Sequence, residues 1–128
     1  MIAQEMIGQN TITFPGERRQ HPRIEVALQV QVRLQSSDVP LRTQTTDISL
    51  GGCYVSMPST LEVGTMVDLR FWLGDQEVRV GGMVVTCHLQ FGNGIMFIGM
   101  SFEDKNRLNC YLDAIADARE RDRCKRTA

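Results

Sequence analysis

Two short stretches of this sequence hold residue types able to recognise a nucleotide. In "GERRQHPR", Arg18, Arg19 and Arg23 crowd together, the last two with the spacing R-x-x-x-R. Pro22 fixes its own φ and biases His21 toward an extended conformation, so this stretch does not stack its arginines on a helix. A guanidinium offers five donors in a planar fork that matches phosphate oxygens and the O6/N7 edge of guanine. Its flat face also stacks on a base. The second stretch is "DISLGG". Asp47 and Ser49 lie two apart on a strand end, which points both side chains the same way. A carboxylate accepts from the N1 and N2 donors of guanine, and a hydroxyl serves a base or a phosphate. Gly51 and Gly52 let the backbone turn sharply or approach a ligand closely. Each stretch also has an ordinary reading: solvated surface charge for the arginines, a β-turn with Asx and Ser capping bonds for "DISLGG". On these residues alone both readings stay open.

Other chemistry is poorly represented. Cys53, Cys87, Cys110 and Cys124 are far apart and form no C-x-x-C pair, so they read as reduced, mostly buried thiols rather than zinc ligands. Cys87 and His88 are adjacent on a strand and point to opposite faces, which prevents a direct nucleophile–base pair. There is no nucleophile elbow, metal cluster or glycine loop before a helix. The expectation is a binding protein with no enzymatic activity, no metal and no cofactor.

The bulk properties agree. The 128 residues fit one domain, and a hydrophobic content of 42% supports a real core. A formal net charge of −1 excludes a general DNA or RNA binder, so any anion site is local. No apolar run is long enough to cross a bilayer. "MIAQEMIGQNTITF" lacks the basic start and apolar stretch of a secretion signal, so the expected compartment is the cytoplasm.

The elements that must position these residues follow from periodicity. Residues 1–16 show no sustained period and read as a flexible N-terminal segment. From Arg23 to Leu34 the chain alternates, with Ile24, Val26, Leu28, Val30, Val32 and Leu34 on one face, which predicts one half-buried strand. "QSSDVP" is a turn. "LRTQTTDIS" and "GCYVSM" predict the second and third strands, and "PSTLEVG" a loop. "TMVDLRFWL" alternates again, with Met66, Asp68, Arg70 and Trp72 opposed to Val67, Leu69, Phe71 and Leu73. "GDQ" predicts a hairpin turn. "EVRVGGMVVTCHLQF" predicts a strand kinked at Gly81-Gly82, "GNG" a turn, and "IMFIGMSFE" the last strand. The period then becomes helical: Leu108, Tyr111, Leu112 and Ile115 form a stripe behind an N-cap at Asp104. These elements predict an all-β dominated fold, a small six-stranded antiparallel β-barrel with a C-terminal α-helix packed by that stripe. Residues 120–128 read as a charged, fraying tail. Its arginines, with Arg119 just before it, read as a solvated helix end with dipole-favourable cations. His88 reads as a surface strand residue, His21 as a spacer or a phosphate contact, Trp72 as core or rim. Met83, Met96 and Met100 read as gap-filling core.

Taken together and in order, the two stretches resemble the PilZ domain family. That family carries R-x-x-x-R and then D/N-x-S-x-x-G, matched here by Arg19 and Arg23, then Asp47, Ser49 and Gly52. The proline before the second arginine, the late "IGMSF" strand and the closing helix are similar too. The resemblance covers about Glu17 to Ala118, which places a PilZ-like domain at residues 17–119. It implies a bacterial second-messenger receptor for cyclic di-GMP. Arg19 and Arg23 would grip phosphate and guanine, Asp47 and Ser49 the other guanine, and Gly52 would permit close approach. Arg18, just before the motif, is the type of residue associated in the family with a stacked ligand dimer. The ligand's negative charge would order the arginine arm and alter a surface read by an effector protein, which for a free-standing domain must be a separate chain. The alternative is a PilZ-like protein-interaction adaptor that does not bind the nucleotide.

Overall fold

The structure is a computed structural model that describes residues 21–127. Arg18, Arg19 and the predicted segment 1–16 lie outside the described residues. In chain order the elements are β1 (Ile24–Glu25), β2 (Gln29–Leu34), β3 (Leu41–Ile48), β4 (Gly52–Ser56), β5 (Met66–Leu73), β6 (Gln76–His88), β7 (Gly92–Ile98) and α1 (Phe102–Thr127). The sheet order is β1-β3-β2-β5-β6-β7-β4, and an added β3–β4 pairing closes six of the strands into the expected antiparallel barrel.

Alternation along the strands builds the core. Val67, Leu69, Phe71 and Leu73 of β5 are buried with Val30 and Val32 of β2, and Phe71 stacks on Phe97 at 5.9 Å between centroids. Leu108 and Leu112 bury the helix stripe against this core, with Tyr111 packed beside them. The cap is Ser101 rather than Asp104: the Asp104 amide donates to Ser101 Oγ at 3.1 Å. Ser101 stands just before the first helical residue, where a side-chain oxygen can reach the orphan amides; Asp104 is already inside the first turn. The helix continues to Thr127, through most of the stretch read as a charged tail.

Three strand readings are corrected. The stretch read as a single strand from Arg23 to Leu34 is split into β1 and β2. Glu25 pairs with Asp47 and Gln29 with Gln44, so this side carries one residue more than β3 between the two pairs. The buried Thr45 hydroxyl fills the interruption, accepting from the Leu28 amide at 2.9 Å and donating to the Val26 carbonyl at 2.7 Å. In β6 the ladder runs unbroken through Gly81-Gly82, and the register shifts between Val84 and Thr86 instead. Gly82 answers a close approach: a Cβ there would lie 2.6 Å from Ile95 Cγ2. "GNG" belongs to β7, and the chain turns just before it, at Gln90 with φ +70°. Asn93 is fully buried and pins the β4–β5 loop, accepting from the Leu61 amide at 2.9 Å and donating to the Leu61 carbonyl at 2.8 Å.

Of the methionines, Met100 packs on the core, whereas Met83 and Met96 do not fill it. They stand in register with Met66 across β5, β6 and β7 on the outer face, with Met96 42% exposed.

A candidate nucleotide site between the first strand and the helix

The site begins with an irregularity in β3. Thr45 pairs with Val55 and Asp47 with Tyr54, which leaves Thr46 as an extra, bulged residue. From the buried Thr45, strict alternation would turn Asp47 inward and Ile48 outward. The bulge reverses this: Ile48 is fully buried and the Asp47 carboxylate reaches the surface. Bulges re-aim side chains in this way beside functional sites.

β1 then lays its outer face beside Asp47. Arg23 Nη1 donates to Asp47 Oδ1 at 2.9 Å, with side chains 35% and 25% exposed. The structure therefore joins one member of the arginine stretch to one member of "DISLGG", 24 positions on. His21 joins them a second way, since its ring lies 3.4 Å from where a Cβ on Gly51 would stand.

Ser49 and Gly52 are placed differently. Ser49 is buried, and its Oγ accepts from the Gly51 amide at 3.1 Å and contacts the Gly52 carbonyl at 3.4 Å. The Ser49 amide donates to the same carbonyl at 2.8 Å. These are the turn bonds of the ordinary reading of "DISLGG". Gly52 is crowded by protein, because a Cβ there would lie 2.3 Å from the Ile95 carbonyl oxygen of β7. Its missing side chain lets β4 start against β7.

Arg23 and Asp47 open onto a cleft of about 520 Å³ lined also by Ile24, Glu25, Ala116 and Arg119. That volume suits a small-molecule ligand; such clefts run roughly 300–1,000 Å³. The helix wall was not foreseen. Arg119 Nη2 donates to the main-chain carbonyl of Glu25, 94 positions away, and so caps the edge strand β1. A second cavity of about 490 Å³ lies on the outer faces of β2, β5 and β6. Its arginines already lie on carboxylates: Arg33 pairs with Asp68 at 3.3 Å, and Arg70 and Arg79 share Glu77.

The remaining candidates take structural places. His88 is exposed, and its Nδ1 shares a 2.9 Å hydrogen bond with the Tyr54 hydroxyl. Trp72 is half-buried on the outer face of β5, opposite Glu77. Burial pushes the Cys53 thiol up to about 12, helped by the Asp47 carboxylate and opposed by Arg23. Such a thiol is protonated at neutral pH and is no nucleophile. Among the described residues no group of His, Cys, Asp and Glu is arranged to hold a metal ion. Nor, among the described residues, is any helix long and apolar enough to cross a membrane.

The described residues thus form a closed six-stranded barrel with a C-terminal helix and an arginine–carboxylate pair over a cleft. The sequence profile of the PilZ domain matches residues 17–114, and the chain belongs to that family. No curated protein matches the sequence significantly. The fold is similar to several solved structures. The Bacillus subtilis inhibitor of motility, MotI/DgrA, superposes with a TM-score of 0.67 at 18% identity, over 78% of this chain and 52% of that one. Escherichia coli YcgR in complex with c-di-GMP superposes with 0.71 at 17% identity, over 87% and 51% of the two chains. The isolated PilZ domain of YcgR with c-di-GMP gives 0.66 at 17% identity, over 81% and 96%. This chain thus spans about half the length of MotI/DgrA and of whole YcgR.

Proposed function

We propose that this chain is a receptor for cyclic di-GMP and that Arg23 and Asp47 form the described part of its site. The observation that carries the reading is their 2.9 Å pair, which brings the two motif stretches together over the cleft. Family membership supports it, as do similar structures whose bound ligand is c-di-GMP. The pair engages only Oδ1 of Asp47, so Oδ2 is left for the N1 and N2 donors of a guanine. Arg23 keeps further N–H donors for a phosphate or for the guanine O6/N7 edge. Ser49 Oγ, after its two turn bonds, has one lone pair to offer the ligand. Gly52 acts by fixing where β4 begins.

Arg18 and Arg19 enter from the preceding chain. With Arg23 they would give the ligand's phosphates charge-assisted bonds, stronger than neutral ones. Ligand binding orders the arginine arm across the barrel and alters a surface that an effector protein reads. Arg18 favours a stacked pair of ligand molecules.

Isothermal titration of the protein with cyclic di-GMP tests the reading directly. The expected result is saturable heat in the low micromolar range or tighter. Absence of heat at tens of micromolar ligand refutes the receptor reading and favours a non-binding adaptor with the same fold.

A further inference from the structure

We propose that the C-terminal helix supplies a further guanidinium to the nucleotide site, beside Arg18, Arg19 and Arg23: Arg119 binds a phosphate of the ligand and so ties occupancy of the cleft to α1. This rests on the receptor reading and extends it to a residue outside both motifs.

The starting point is where Arg119 is held. With Ala116, one turn earlier on the helix, it walls the cleft whose other sides are Arg23, Ile24, Glu25 and Asp47. Its Nη2 donates to the Glu25 carbonyl, which immobilises the end of a long side chain beside the two-residue strand β1. One N–H is committed there and four remain, on a group whose planar fork fits two phosphate oxygens at once. Ala116 contributes only a methyl group, which leaves room in front of the fork.

Charge points the same way. Arg23, Arg33, Arg70, Arg79, Arg107 and Arg123 each lie on a carboxylate. Arg119 has no carboxylate partner among the described residues; it donates instead to a neutral carbonyl. It is therefore a cation held in the cleft outside any ion pair. The cleft lining is neutral as a whole, but Arg23 and Asp47 engage each other, which leaves Arg119 and Glu25 as its unpaired charges. Of the two, an incoming phosphate finds its partner in Arg119. Because the same guanidinium holds β1 through Glu25, a bound phosphate locks helix and first strand together.

The test is calorimetry with cyclic di-GMP on the full chain at several salt concentrations. It compares wild type with Arg119→Met, which keeps the apolar stem, and Arg119→Lys, which keeps the charge but not the fork. Arg121→Met, also exposed on α1 but away from the cleft lining, is the control. Arg119→Met should bind about ten- to hundredfold more weakly and with a shallower salt dependence. Arg119→Lys should fall between, and Arg121→Met should match wild type. A merely structural role would lower thermal stability but leave the salt dependence unchanged, and that result overturns the proposal. Should Arg119→Met fail to fold, the Arg119 Nε–Hε NMR signal of the wild-type protein replaces it. That signal must shift on ligand addition, and an unmoved signal refutes the inference. A wild type that binds no nucleotide fails at the receptor reading itself; a wild type that binds as Arg119→Met does fails only here.

Discussion

Replacing Arg23 with alanine separates a binding role from a structural one, because the two predict effects of different size. In the free protein Arg23 pairs with Asp47 at 2.9 Å, and the pair is 35% and 25% exposed. Solvent screens such pairs, and they are worth about 0.2–1 kcal/mol. Loss of Arg23 also leaves Asp47 directly opposite Glu25 across the β1–β3 ladder, a like-charge pair that loosens β1 by a similar small amount. The core is untouched, so the melting temperature should fall by only about 2–8 °C. The ligand loses charge-assisted hydrogen bonds worth about 1.5–3 kcal/mol, so affinity should fall at least about ten- to hundredfold. Differential scanning fluorimetry and calorimetry with cyclic di-GMP measure the two effects on one preparation. An affinity within about threefold of wild type would place Arg23 outside the site. A melting temperature lower by more than about 10 °C would show that the Arg23–Asp47 contact chiefly holds the barrel closed.

Arg18→Leu should lower the ligand-to-protein ratio without abolishing binding; an unchanged ratio by titration rejects the ligand-dimer reading. Gly52→Ala should destabilise by about 1–3 kcal/mol in urea unfolding, because the new methyl meets the Ile95 carbonyl oxygen at 2.3 Å. Gly51→Ala meets nothing nearer than the His21 ring at 3.4 Å and should cost far less; equal costs would show that β7 yields. Cys53 makes stability fall in alkali. Its folded pKa of about 12 lies above the ordinary 9.0, so its contribution is complete below pH 9 and declines as pH rises toward 12. The slope reaches about 1.4 kcal/mol per pH unit. Urea unfolding between pH 8 and 11 should show that slope in wild type and lose it in Cys53→Ala, whatever the variant's starting stability.

Much of this architecture was legible because it depends on local periods. The alternation of β5 and the Leu108/Leu112 stripe are properties of neighbouring residues, and both are buried as the pattern requires. What escaped depends on contacts between distant segments. The break between β1 and β2 is made by the hydroxyl of Thr45, a residue that reads as an ordinary strand position. Gly92 and Gly94 look like turn residues, yet they serve β7: a Cβ on Gly92 would lie 2.2 Å from the Val55 carbonyl oxygen, and one on Gly94 would lie 2.4 Å from Thr86 Oγ1. The Thr46 bulge that exposes Asp47 has no signal in the alternation of β3 itself. Arg119 sits among charges of both signs on an exposed helix end, and only the folded chain brings it to Glu25. The ordered pair of motifs was readable because Arg23 and Asp47 are distinctive residue types; the scaffold duties of Ser49 and Gly52 were hidden behind the same motif.

The Arg119–Glu25 bond has a consequence for how distant parts of the chain are coupled. It ties β1, the strand outside the closed ring, to α1, so two segments 94 positions apart meet at one cleft. Under the receptor reading, occupancy of that cleft would be felt by both segments at once, with no need for strain to travel through the packed barrel. A barrel wired in this way carries its long-range link on the outside, where it can be changed without redesigning the interior.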